Sequence, residues 1–121
     1  MRDAESARAL FATIAALSYE MVALAYLDPD RRLLGMRHAL PGDEAAAEVP
    51  VRLILRDALG MDAASVVMAH NHPGGDPTPS TADRAVTRRV ARALGMVDIT
   101  LMDHIVLAAQ GSFSFRAMGL L

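Results

Sequence analysis

Between residues 65 and 83 the chain passes from a β-rich run, through a loop that cannot be regular, into a capped helix. The run is SVVMAH, Ser65 to His70, and the loop is NHPGGDPTP. Pro73, Pro77 and Pro79 withhold backbone donors, and Gly74 and Gly75 favour turns, so neither helix nor strand propagates through it. Ser80-x-x-Asp83 then has the form of a capping box, opening the helix TADRAVTRRVARALG. Ala82, Ala85, Val86, Val90, Ala93 and Leu94 form its apolar face, and Gly95 is placed as its stop. A strand delivering its end to a helix N-terminus across a stiff loop is a unit of α/β architecture.

The flanking chain supplies compatible elements. Residues 5–17, ESARALFATIAAL, place Leu10, Ile14 and Leu17 at helical spacing. Glu20 to Asp28 is apolar on both alternating faces and ends in the turn signal DPD, which predicts a central strand covered on both sides. Arg32 to Leu40 predicts a second strand hairpin-paired with it and closed by Pro41-Gly42-Asp43. Val49 to Leu59 reads as a helix with Pro50 in its first turn and Gly60 as its stop. Strands are expected at about 97–102 and 105–109, then a turn at Gln110-Gly111 and a last strand through Phe113 and Phe115. The expected fold is α/β, a mixed β-sheet flanked by helices, in one domain over residues 1–121 with 1–18 as a helical lead-in. At 121 residues there is no room for a barrel of about 250.

Composition narrows the chemistry. All 12 basic residues are Arg, so Schiff-base and lysine-nucleophile mechanisms are excluded. The absence of cysteine excludes disulfides, thiol nucleophiles and thiolate metal sites, and with them a zinc deaminase, which needs a P-C-x-x-C element. Any metal must therefore use His, Asp or Glu. A net charge of −2 supplies no basic field for nucleic acid or an anionic membrane. The apolar stretch Ala9–Leu17 is far short of the roughly 18 residues that span a bilayer. Asp3 and Glu5 stand where a signal peptide carries positive charge, so a cytoplasmic location is expected.

His70 and His72 stand two apart at a strand end, where a period of two aims both imidazoles to one side and Asn71 to the other. Asp83, in the first turn of the following helix, can be folded back over them by the loop. Two His and one carboxylate leave a fourth position for water, which suits a catalytic zinc that lowers the water's pKa toward about 7. The plainer reading of Ser80 and Asp83 is helix capping alone, and the two roles are compatible.

The stretch HNHPGGDPTPSTAD, residues 70–83, resembles the metal-binding signature of the JAB/MPN (JAMM) metalloprotease family: His, one residue, His, seven residues, Ser, two residues, Asp. His70, His72, Ser80 and Asp83 fall on all four positions. HNHP, the later DHI at 103–105 and the closing SFSFRAMGLL look most like the RadC-like branch. The resemblance runs from about residue 18 to the end. It implies a three-layer architecture broadly similar to that of the cytidine deaminases, with Zn²⁺ held by His70, His72 and Asp83. It implies Glu20, in YEMVALAYLD, as the general base acting on water, and Ser80 as the donor to an oxyanion. The implied substrate is a peptide or protein, cut at a peptide or isopeptide amide. Two features depart from the branch: the chain has no room for its usual upstream helix-hairpin-helix region, and it reads Pro73-Gly74-Gly75 where Pro-Ser-Gly is common.

Two alternatives stay open from the residues. Arg84, Arg88 and Arg92, with Arg89, form a stripe after Asp83 that could hold a phosphate, making a metal-dependent phosphodiesterase associated with DNA, although such a stripe is more often a solvated face. A non-catalytic interaction module would retain the fold and use metal only for stability. His38 is expected to be exposed or structural, and Asp103 and His104 either orient one another or form a strand-end turn.

Overall fold

The computed structural model describes residues 4–39 and 51–121. Within them, helices α1 (Ala4–Leu10) and α2 (Ala12–Ala15) precede strands β1 (Val22–Leu27) and β2 (Leu33–Ala39). Helix α3 (Val51–Gly60), strand β3 (Ser65–Asn71), helix α4 (Thr81–Gly95) and strands β4 (Thr100–Ala108) and β5 (Gly111–Ser114) follow. The strands form one mixed sheet in the order β2-β1-β3-β4-β5. Its neighbours are antiparallel except β3 and β4, which run parallel because α4 carries the chain back between them.

The period of two sorts the side chains of the central strands into two cores. On one face Val22, Leu24 and Tyr26 of β1 and Val66 and Met68 of β3 pack against Ile54 and Ala58 of α3 and Val86, Val90 and Leu94 of α4. On the other, Ala23, Ala25 and Leu27 of β1 and Val67 and Ala69 of β3 meet Ala7, Phe11 and Ile14. β1 is buried along its whole length, as its continuous apolar run predicts. The result is an α/β fold of three layers, helices on both faces of the sheet.

Several elements differ from the sequence expectation. The helix expected over 5–17 breaks at Phe11 (φ −99°, ψ 12°), and its buried residues are Ala7, Phe11 and Ile14, with Leu10 and Leu17 at the margin. The break lets a short segment follow the twisted sheet and turns a full phenyl ring into the core. Neither Gly60 nor Gly95 is the residue that reverses the chain. Both lie in the last turn, and the left-handed positions are Asp62 (φ 54°) and Asp98 (φ 60°), from which Ala63 and Ile99 close back onto Ala58 and Leu94. Asp tolerates this conformation better than most non-glycine residues.

The two strands expected at 97–102 and 105–109 are one, β4, and no turn separates them. Asp103 and His104 sit inside it, buried, because the Asp103 carboxylate is satisfied by the His104 amide (2.7 Å), the Ser114 hydroxyl (2.6 Å) and the Arg116 amide (3.1 Å). β5 ends at Ser114, and Phe115 lies beyond it, stacked on the His104 ring. The turn expected at Pro41-Gly42-Asp43, and Leu40, Val49 and Pro50, lie outside the described residues.

Candidate metal centre

β3 brings His70 and the following His72 to the same side of the sheet, and α4 brings Asp83 to meet them. His70 Nε2 lies 2.9 Å from His72 Nε2. Asp83 Oδ1 is 3.5 Å from His70 Nε2, and Asp83 Oδ2 is 3.2 Å from His72 Nε2. Asp83 stands where it does because the capping box expected from Ser80-x-x-Asp83 forms in both directions. The Asp83 amide donates to Ser80 Oγ (3.0 Å) and the Ser80 amide to Asp83 Oδ2 (2.8 Å). One carboxylate thus caps the helix and faces both imidazoles.

The loop from 72 to 79 is held rather than loose. His72 donates its backbone N–H to the Leu107 carbonyl (2.8 Å), and Gly75, at φ 99°, closes a turn onto the His72 carbonyl (3.1 Å). That φ is open to glycine and strained for other residues. His72 Nδ1 lies 2.9 Å from the Asp76 carbonyl, which can only accept, so Nδ1 carries a proton and the neutral ring presents a bare Nε2. Four atoms therefore converge, two imidazole nitrogens and two carboxylate oxygens, with at most the one proton of His70 to share. Lone pairs packed this closely repel unless a cation lies among them, and a borderline divalent ion with N and O ligands is the natural occupant. By the chemistry of these donors the residues fit a zinc ion.

Burial would by itself raise the Asp83 pKa, but the neighbouring His70 imidazole and the hydrogen bonding of Ser80 outweigh it and hold the carboxyl below its ordinary range. Asp83 is thus an anion, the form a metal requires. His104, fully buried, is pushed well below the ordinary histidine value and stays neutral.

Glu20 reaches the same place from a distant part of the chain. A carboxylate oxygen of Glu20 and ring nitrogens of His70 and His72 all lie within 4.8 Å of one another. The segment that carries it is tied down by Asn71, between the two histidines and fully buried on the opposite side of β3. Asn71 Oδ1 accepts the Met21 N–H (2.6 Å), and Nδ2 donates to the carbonyls of Tyr19 (2.8 Å) and Leu17 (3.4 Å). The amide orientation is unambiguous, since its oxygen meets a donor and its nitrogen meets acceptors. Glu20, His72, Pro73, Gly74, Asp76 and Thr78 line an open cleft of about 370 Å³ beside the site.

Ser80 sits at the helix N-terminus, engaged in the capping box. The four arginines 84, 88, 89 and 92 are exposed on α4, and His38 is exposed on β2. The pair Asp103-His104 is neither a turn nor a mutually orienting couple. The Asp103 carboxylate holds the backbone and Ser114, whereas the His104 ring points at the site, with Nε2 2.6 Å from His70 Nδ1 and Nδ1 2.6 Å from Thr87 Oγ1. Sequence reasoning missed this contact and the Asn71 clamp. For His104 the trace was the polar DH pair within a β-rich run, and Asn71, between two histidines at the edge of the loop, left none.

The sequence pattern of the RadC-like JAB domain matches residues 1–120. The chain belongs to that family. This RadC-like JAB domain is 42% identical over 106 residues to a UPF0758 protein of Vibrio cholerae, covering 88% of this chain and 66% of that one. It is 48% identical over 92 residues to a UPF0758 protein of Xanthomonas campestris, covering 76% of this chain and 41% of the relative. With the UPF0758 protein YeeS of Escherichia coli it shares 40% identity over 112 residues, 93% of this chain and 76% of YeeS. The domain thus spans two-thirds or less of the Vibrio and Xanthomonas proteins. Among the described residues no helix is long and apolar enough to cross a membrane.

Proposed function

We propose that this RadC-like JAB domain is a zinc-dependent hydrolase of peptide or isopeptide amides, with His70, His72 and Asp83 as the metal ligands. The convergence of two imidazole Nε2 atoms and an anionic carboxylate within 3.5 Å carries this reading. When bound, zinc supplies a Lewis acid that acidifies water and polarises a carbonyl. Glu20, within reach of both imidazoles and on the wall of the cleft, takes a proton from the attacking water and returns it to the leaving amine. The cleft gives an extended substrate access to that carboxylate. Ser80 Oγ accepts the Asp83 amide, and its own hydrogen is the donor assigned to the oxyanion that forms on the scissile carbonyl. The arginine stripe is no part of the cleft lining among the described residues, so nothing at the site favours a phosphodiester over an amide.

The test is elemental analysis of untagged protein. About one zinc per chain is expected, lost in His72→Ala and Asp83→Ala. Glu20→Gln should keep zinc and lose hydrolysis of a responsive amide substrate by at least about a hundredfold. Wild-type protein that retains no metal when offered zinc at neutral pH would refute the proposal.

A further inference from the structure

We propose that His104 and Thr87 form a buried tautomer lock that keeps the His70 proton on Nδ1 and leaves Nε2 bare toward the metal site. The inference deepens the metal-centre reading and rests on it for its consequence. Each proton in the chain of contacts is dictated by its neighbour. Thr87 Oγ1 lies 2.7 Å from the Asp83 carbonyl, which can only accept, so the single hydroxyl hydrogen is used there. The bond of 2.6 Å between Thr87 Oγ1 and His104 Nδ1 must then be donated by Nδ1–H. A neutral imidazole protonated on Nδ1 has a bare Nε2, so the bond of 2.6 Å between His104 Nε2 and His70 Nδ1 is donated by His70. The second His70 nitrogen, Nε2, is left as a lone pair facing His72 and Asp83. A carboxylate or backbone carbonyl behind a ligating histidine does this work in many metal sites. Here the acceptor is a second histidine, and the terminus of the chain of bonds is the backbone of helix α4.

Two features make the lock stiff. Thr87 and His104 are each 1% exposed, so water does not compete for these bonds. Asp83 supplies both ends of the device, its side chain to the imidazoles and its carbonyl to Thr87 one turn later, so a single helical turn sets ligand position and proton position together. The aim of His104 depends on an irregularity in the sheet. β3 and β4 pair Val66 with Leu101 and then Val67 with Asp103, skipping Met102. In unbroken register His104 would stand opposite Ala69 and point to the α1 face. The bulge shifts it opposite Met68, on the face of His70, as bulges beside functional sites commonly do.

His104 and Thr87 are positioning residues, and their test needs no substrate. In metal-free wild-type protein labelled with ¹⁵N, two-bond nitrogen–proton correlation spectra above neutral pH report each ring's tautomer, and four histidines are readily told apart. His70 and His104 should both carry the proton on Nδ1, and a His70 proton on Nε2 overturns the lock. Zinc affinity, read by competition with a chromophoric chelator, should fall at least about tenfold in Thr87→Val and stay within about threefold of wild type in Thr87→Ser, which restores the hydroxyl. A folded Thr87→Val protein that binds zinc as wild type does also overturns the proposal. Should that variant fail to fold, the wild-type spectrum decides alone. Wild-type protein that refuses zinc refutes the metal centre, while the tautomer spectrum still decides the lock.

Discussion

Replacing Asn71 by Leu, close in volume but without hydrogen-bonding groups, removes the clamp between β3 and the segment that carries Glu20. Two well-formed bonds are lost, to the Met21 amide at 2.6 Å and the Tyr19 carbonyl at 2.8 Å, with a longer one to the Leu17 carbonyl. At roughly 1 kcal/mol net for each good bond, plus about 1–2 kcal/mol for stranding a half-buried backbone amide, the cost is about 3–4 kcal/mol. A domain of this length has an unfolding entropy near 0.25 kcal/mol/K, so Tm should fall by about 12–16 °C. Denaturant titration and calorimetry of metal-free protein measure this directly. Zinc affinity should change little, because the backbone of β3 and helix α4 hold the ligands without Asn71. Hydrolysis should fall with the loss of Glu20's placement. A variant within about 0.5 kcal/mol of wild type would show that the clamp contributes nothing and would refute this account of Glu20's position.

Other perturbations test separate parts of the molecule. Ser80→Ala removes the N-cap of α4 and should cost about 1 kcal/mol in metal-free protein, measured by chemical denaturation, with Ser80→Asn recovering most of it. Zinc at a hundred times its dissociation constant should stabilise the wild type by about 2.7 kcal/mol, a rise of about 10 °C in a thermal melt that is absent in His72→Ala. The Asp57 carboxyl is held below its ordinary value of 3.8 first by the Arg37 hydrogen bond and also by the Tyr26 hydroxyl, against the opposing effect of burial. A depressed carboxyl adds stability that is present above its ordinary value and lost as pH falls through the folded-state value. Stability measured from pH 5 downward should therefore decline less steeply in Arg37→Met than in wild type. Tyr26, pushed up by burial and by Asp57, has the opposite sign, and its contribution should fade only above about pH 10.

What the sequence determined by itself is what short-range geometry decides. A period of two places His70 and His72 on one side of a strand, and a three-residue spacing makes Ser80 and Asp83 a capping box, without reference to the rest of the chain. The two-sided burial of β1 was legible for the same reason, since an apolar residue at every position leaves no solvent face. Helix ends were less legible. Glycine at the end of a pattern signals a stop, but the reversal fell on Asp62 and Asp98, where the backbone had to return to Ala63 and Ile99 in the core. Tertiary structure alone decided the contacts that cross the sheet. Glu20 meets the histidines only because β1 and β3 are neighbours with Val22 opposite His70, and Asn71 reaches Met21 across fifty positions of sequence. His104 turns to His70 only because one residue is skipped in the β3–β4 register. Local periodicity says which residues share a face of their own strand; the register between strands, set by the packing of whole layers, says which faces meet.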